Sequence, residues 1–193
     1  MNFLAHLYLS GNNQNIMIGN FMADAIKGNS YQNFEEEIQQ GILLHRKIDT
    51  FTDQHPIVKQ SKRRLNSRYN HFGGIIIDIF YDHFLAKNWT QFSNIPLELY
   101  VSEVYLILQK SRKIYPSKLN RLLYFMVLEN WLLNYQNTDE IKKVIKIMSH
   151  RTKYQSYMEL ATEDLLLYYE DFEQDFLIFF KDIAEFSQLN LSK

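Results

Sequence analysis

Asp78, Asp82 and His83 stand inside an otherwise apolar run, Ile75 to Leu85, with the sequence Ile-Ile-Ile-Asp-Ile-Phe-Tyr-Asp-His-Phe-Leu. A helix apolar on every side belongs in a protein interior. Ionisable groups carried there must be paired, protonated or bound to a metal, because an unpaired buried charge costs several kcal/mol. Asp78 and Asp82 are four residues apart and share a face, and His83 is turned about 100° away on the same turn. A second run answers the first. Between Asn33 and Thr52, the residues Phe34, Ile38, Gly41, Ile42, His45, Ile48, Asp49 and Thr52 fall on one helical stripe, which aims His45 and Asp49 at the core. Acids and imidazoles projecting inward from rigid helices are the donor set of a metal site on a helical scaffold. The plainer readings are a buried His45–Asp49 ion pair closing one turn, and capping or cationic partners for the Asp78, Asp82, His83 group.

The elements that must hold these groups can be laid out from breakers and periodicity. Asn2 to Leu9 carries His6 among apolar residues and is compatible with either a helix or an extended piece. Ile16 to Ile26 reads as a half-buried helix bearing Asn20 and Asp24, closed by Gly28-Asn29-Ser30. Asn33 with Glu36 has the spacing of a reciprocal N-cap opening the His45 helix. Pro56 starts a basic helix reaching to about Tyr69, and Gly73-Gly74 breaks the chain before the buried helix. Pro96 and Pro116 open helices to about Ile114 and about Tyr135, and a basic helix runs from Thr138 to about His150, whose imidazole suits the helix dipole there. From Tyr157 to Ile183 aromatic and aliphatic residues repeat at helical period over many turns. No hairpin signature, repeat or low-complexity linker is present, so the expected fold is all-α, a single-domain helical bundle over residues 1–193.

Composition narrows the chemistry. Of 193 residues 46% are hydrophobic and 15% aromatic, which sets aside disordered and fibrous classes. There is no cysteine, so disulfides, thiolate zinc sites and cysteine nucleophiles are excluded and any metal must sit on oxygen and imidazole. The opening residues lack a basic start, and no apolar run approaches membrane-spanning length, so a cytoplasmic protein away from membranes is expected. A net charge of −1 argues against broad nucleic-acid binding, yet the charge is uneven. Lys59, Lys62, Arg63, Arg64 and Arg68 crowd one helix, whereas acids load the last stretch from Glu159 to Glu185.

Four segments taken in order, Met-Asn-Phe-Leu-Ala-His at the start, Gly-Asn-Phe-Met-Ala-Asp at 19–24, Gly-Ile-Leu-Leu-His-Arg-Lys-Ile-Asp-Thr-Phe-Thr-Asp at 41–53 and Asp-Ile-Phe-Tyr-Asp-His-Phe-Leu at 78–85, resemble the acyl carrier protein phosphodiesterase family. The resemblance implies a helical fold related to the HD-domain phosphohydrolases, although Asp82-His83 runs in the reverse of their His-Asp order. It further implies a divalent ion, manganese ahead of magnesium, and hydrolysis of the diester joining 4′-phosphopantetheine to a serine of holo acyl carrier protein, a small acidic substrate. The family's motif positions fall on His6, Asp24, His45, Arg46, Asp49, Asp78, Asp82 and His83. On that basis His45, Asp49, Asp78 and Asp82 are expected to hold the metal with Asp24 as a further ligand. Arg46 would steady the phosphate. His83 or His6 would supply the proton to the departing serine oxygen. Lys59, Lys62, Arg63, Arg64 and Arg68 would rim the opening and steer the acidic carrier. Two other functions fit the same residues: a phosphohydrolase of nucleotides or other small diesters, and a non-catalytic helical binding protein.

Overall fold

A computed structural model describes residues 1–65, 67–149 and 155–192, with the side chains of Asn70 and Met148 left aside. The reading of His150 as a dipole partner falls outside the described residues. Every regular element described is helical. In chain order these are α1 (Phe3–Tyr8), α2 (Gln14–Met22), α3 (Glu36–Gln54), α4 (Pro56–Arg64), α5 (Gly73–Lys87), α6 (Leu97–Lys110), α7 (Ser117–Leu128), α8 (Trp131–Asn134), α9 (Thr138–Ser149), α10 (Ala161–Leu167) and α11 (Tyr169–Leu191). The fold is all-α and built on one contiguous core.

Helix α5 is its axis, because its apolar residues leave no face for water: Ile76, Ile77, Ile79, Phe80, Tyr81, Phe84 and Leu85 are all fully buried. Against it lies the aromatic stripe of α11. Phe80 meets Phe172 at 5.3 Å, and Tyr81 meets Phe176 and Phe179 at 5.6 and 5.3 Å between ring centroids. Such edge-on and tilted pairs add about 0.5–1.5 kcal/mol each beyond the area they bury. The charged stretches of the sequence also find one another here. Asp175 of α11 is buried and accepts from Ser61 Oγ at 2.7 Å and Gln60 Nε2 at 2.9 Å of α4, and it pairs with Arg64. A buried carboxylate with three donors is satisfied, and stripping one partner would leave it costly.

Boundaries differ from the sequence reading at instructive places. The undecided opening is a helix, capped by the Asn2 side chain on Phe3 N–H. The reciprocal Asn33–Glu36 cap does not form. Phe34 packs toward the core in an extended conformation, Asn33 ends a short turn over Ser30–Asn33, and α3 opens at Glu36. The basic helix ends at Arg64, and Gly73-Gly74 begins α5 instead of preceding it. The run from Pro116 is cut at Asn130, which adopts a left-handed φ of 48°, and the last stretch is cut at Tyr168.

Candidate metal centre

Two glycines set the geometry. Gly19 of α2 and Gly41 of α3 face each other at the crossing of their helices. A Cβ built on Gly41 would lie 2.1 Å from the Ile16 carbonyl oxygen, and one on Gly19 would lie 2.1 Å from that of Ile38. Only hydrogen fits between these backbones. The close crossing carries Asn20, next to Gly19, against His45, one turn after Gly41. Asn20 is fully buried: its amide nitrogen donates to the His6 carbonyl and to Ser10 Oγ, both at 2.9 Å, and its Oδ1 lies 2.9 Å from His45 Nδ1. Since Oδ1 only accepts, His45 Nδ1 carries a proton and Nε2 is the atom presented to the cavity.

At that atom the acids converge. His45 Nε2 lies 3.1 Å from Asp49 Oδ2 and 3.2 Å from Asp24 Oδ1. His6 Nε2, from α1, lies 3.1 Å from the other Asp49 oxygen. The two imidazoles stack at 3.9 Å with planes 15° apart. All four side chains line an open cavity of about 470 Å³ together with Asp53 and Asp78. Two imidazolium ions cannot share that stack. Burial and the neighbouring His45 charge push His6 down to about 4. His45 goes the other way: desolvation lowers it, but bonds to Asp24 and Asp49 outweigh that and raise it to about 9. Burial opposes ionisation of Asp49, yet bonds from both histidines hold it well below the usual carboxylate range. Asp24 is lowered chiefly by its bond to His45. The cluster therefore holds one positive charge shared between carboxylates, the place a cation would take.

His6, His45 and Asp49 each offer one ligand atom, all within 4.8 Å of one another. Donor chemistry fits a divalent ion: two imidazoles and a carboxylate with no thiolate, a fourth acid at Asp24, and a second-layer amide fixing the tautomer of His45. His6 Nδ1 is buried without a hydrogen-bond partner among the described residues.

The other expected ligands and catalytic groups are engaged by other partners, and of them only Asp78 lines this cavity. Asp78 and Asp82 do share a face, but it is turned to the start of α1. Asp82 is fully buried and accepts from the backbone N–H groups of Leu4, Asn2 and Ala5 at 2.7, 3.2 and 3.3 Å. Burial pushes it up to about 7 against those bonds and the nearby amino group. Its oxygens are spent on the N-terminal N–H groups of α1, which it caps, and it does not line the cavity. Asp78 reaches the cavity wall but pairs with the Met1 amino group at 2.8 Å. His83 faces away from the cavity: Nδ1 donates to the Tyr135 carbonyl at 2.7 Å and Nε2 accepts from Tyr169 hydroxyl at 2.7 Å. With both nitrogens engaged and burial lowering its pKa, it is a neutral structural group and not a proton donor at this site. Arg46 points to the loop after Asp24, donating to the carbonyls of Ile26 and Gly28 at 3.0 and 2.9 Å over the Tyr31 ring. One residue past His45 on a helix is a different face, so its fork braces the loop instead of reaching into the cavity. Of the basic row, Lys62 pairs with Asp53 at 2.9 Å, Arg64 with Asp175 and Arg68 with Glu163 at 3.3 Å. Lys59 and Arg63 stay exposed. The row is largely neutralised by its own fold.

The sequence reading placed Asn20 on a half-buried helix and Gly41 on the buried stripe but gave neither a part in the site, and it did not pair Gly41 with Gly19. The signal for the glycines was present, since a helix-interior glycine costs about 1 kcal/mol relative to alanine and Gly41 lies on the buried stripe beside His45. Asn20 carried no such signal.

The family model described as acyl carrier protein phosphodiesterase matches residues 1–183. Among curated proteins of that name, the one from Photorhabdus laumondii is 31% identical over 96% of this chain and 94% of its own. Those from Pectobacterium atrosepticum and an Enterobacter species are 29% and 33% identical, covering 97% and 93% of this chain and 98% and 94% of theirs. No solved structure gives a significant match. With the match spanning α1 through most of α11, and thus every element that builds the cavity, the chain belongs to the acyl carrier protein phosphodiesterase family of hydrolases.

Proposed function

We propose that the protein is a metal-dependent phosphodiesterase that removes 4′-phosphopantetheine from holo acyl carrier protein. The observation that carries this reading is the convergence of His6, His45 and Asp49 on one open cavity in a chain of this family. These three side chains would hold the ion, with Asp24 as a further ligand. Manganese is the first choice and magnesium the second, on the oxygen and imidazole donor set. When bound, such an ion polarises a phosphoryl oxygen and acidifies a water. In the net reaction water forms a bond to phosphorus and the serine oxygen leaves with a proton, giving apo carrier and free 4′-phosphopantetheine.

The chain's own groups have definable parts. Asn20 holds the His45 ring so that Nε2 faces the cavity. Asp82 anchors α1 and thereby fixes His6. Of the two histidines considered as proton donors, His83 lies outside the cavity and His6 is taken up as a ligand, so neither is left to protonate the departing serine oxygen. Among the described residues no lysine or arginine lines it, so charge on the phosphate falls to the ion. Incubation with holo acyl carrier protein and manganese, followed by intact-mass measurement, tests the proposal. Loss of the prosthetic group from wild type, abolished by a chelator and by His45→Ala, is expected. Turnover that ignores chelator would overturn it.

A further inference from the structure

A second basic segment is not consumed by the fold. Between Glu103 and Glu129 the sequence has no acid, and it carries Lys110, Arg112, Lys113, Lys118 and Arg121. All five are exposed, and among the described residues none makes an ion pair. Arg112 reaches only the Asn120 amide, at 3.4 Å.

On α7 the residues Lys118, Arg121, Leu122 and Phe125 follow one another at the spacing of a single helix face. With Glu129, Trp131 and Ile147 they line a groove of about 540 Å³. Leu122 lines this groove and the candidate metal cavity alike, so the two hollows adjoin. The neighbouring surface is apolar where a monomer would be expected to be polar: Tyr124 is 55% exposed and Leu128 64%. Contiguous exposed apolar surface rimmed by charge marks a docking site. The other apolar patch, at Leu166 and Leu167, is bordered by Glu170 and Asp171 and would repel an acidic protein.

We propose that the α7 face, with Lys118 and Arg121 at its centre, is the surface on which the acidic acyl carrier protein docks while its phosphodiester enters the adjoining cavity. This rests on the function proposed above for the substrate's identity. It moves the docking surface from the row at Lys59 to Arg68, where Lys62, Arg64 and Arg68 are paired with acids of the fold, to the cationic face that borders the metal ligands. Rim charges of this kind govern encounter rate and salt dependence, and apolar anchors beside them supply contact area.

The test pairs Lys118→Glu/Arg121→Glu with Lys59→Glu/Arg63→Glu; all four positions are exposed, and thermal melting confirms that each variant folds. Turnover is read with holo acyl carrier protein and manganese, and docking alone is read by fluorescence anisotropy with labelled apo carrier, which has no diester to cleave. The α7 pair should raise KM and the apo-carrier dissociation constant by roughly tenfold or more and flatten their salt dependence. Turnover by wild type with both constants unmoved by the α7 pair would overturn the docking surface and leave the proposed function standing. A rise produced by the α4 pair instead would also overturn it. Apo carrier bound through α7 by a wild type that cleaves no holo carrier would uphold the surface and overturn the function.

Discussion

Replacing Gly41 by alanine adds one methyl group at the place where two backbones touch, and the structure sets the size of the effect. The new Cβ would stand 2.1 Å from the Ile16 carbonyl oxygen and 2.9 Å from both Asn20 N and Gly19 Cα, where ordinary contact begins at 3.4 Å. Nothing flexible is in the way, so α2 and α3 must separate by roughly 1.3 Å. Alanine favours a helix over glycine by about 1 kcal/mol. Overpacking against backbone opposes this by about 3 kcal/mol or more, so the net loss is about 2 kcal/mol. The same separation stretches the His45 bonds to Asn20 and Asp24, now 2.9 and 3.2 Å, beyond hydrogen-bonding reach. Loss of such supporting contacts typically costs about 10–100-fold in metal affinity or activity. Urea unfolding of the metal-free protein and calorimetric titration with manganese read the two effects separately. Gly74→Ala is the contrast, because its Cβ meets only the Lys62 side chain at 3.5 Å. That variant should gain a few tenths to about 1 kcal/mol. A Gly41→Ala protein as stable as wild type, binding manganese equally well, would refute the claim that the glycine crossing positions the ligands.

Asn20→Ala strands the His45 Nδ1–H and the donors' acceptors around it; a loss of about 1–3 kcal/mol in urea unfolding and at least tenfold in turnover is expected. Asp82→Asn exchanges a carboxyl group that accepts from three N–H groups for an amide that also presents N–H; a loss of about 2 kcal/mol by thermal unfolding is expected, and an unchanged melting temperature would deny it the capping role. The metal-free protein should lose stability as pH rises above about 6.5. His45, raised to about 9, binds a proton in the folded state that the unfolded chain has released, so its contribution is full below about 6.5 and is lost as pH rises toward 9. Below that the contributions oppose one another: His6, lowered to about 4, refuses a proton the unfolded chain accepts, whereas Asp82, raised to about 7, holds one the unfolded chain has released. Urea midpoints across pH 6.5–9.5 should trace that decline, and His45→Gln should flatten it.

What was legible in the sequence follows from which interactions are local. The stripe from Ile38 to Thr52 and the all-round apolarity of Ile75 to Leu85 are periodicities within single helices, and the structure has both, as α3 and α5, with Phe34 extended just ahead of α3. Asp49 lies four residues after His45, and their pairing is equally local. Where Asp82 would point was not legible, because a buried carboxylate reads alike whether it meets a metal or a helix end. Its partners lie 77–80 residues away. Arg64 and Arg68 looked available because their acids, Asp175 and Glu163, are about a hundred residues later. His6 gave little signal in a helix of six residues, yet it is one of the three groups that meet.

That short helix has a bearing on how the centre is assembled. Six residues are too few to stay helical in water unaided, and α1 is held by a carboxylate from the middle of the chain. The imidazole it delivers is therefore in register only after distant segments have docked. A nascent or partly unfolded chain would present an incomplete ligand set, so an ion bound at this cluster would be acquired after folding and would not guide it. Once acquired, the ion would report on the integrity of the whole domain, since its release and global unfolding draw on the same free energy.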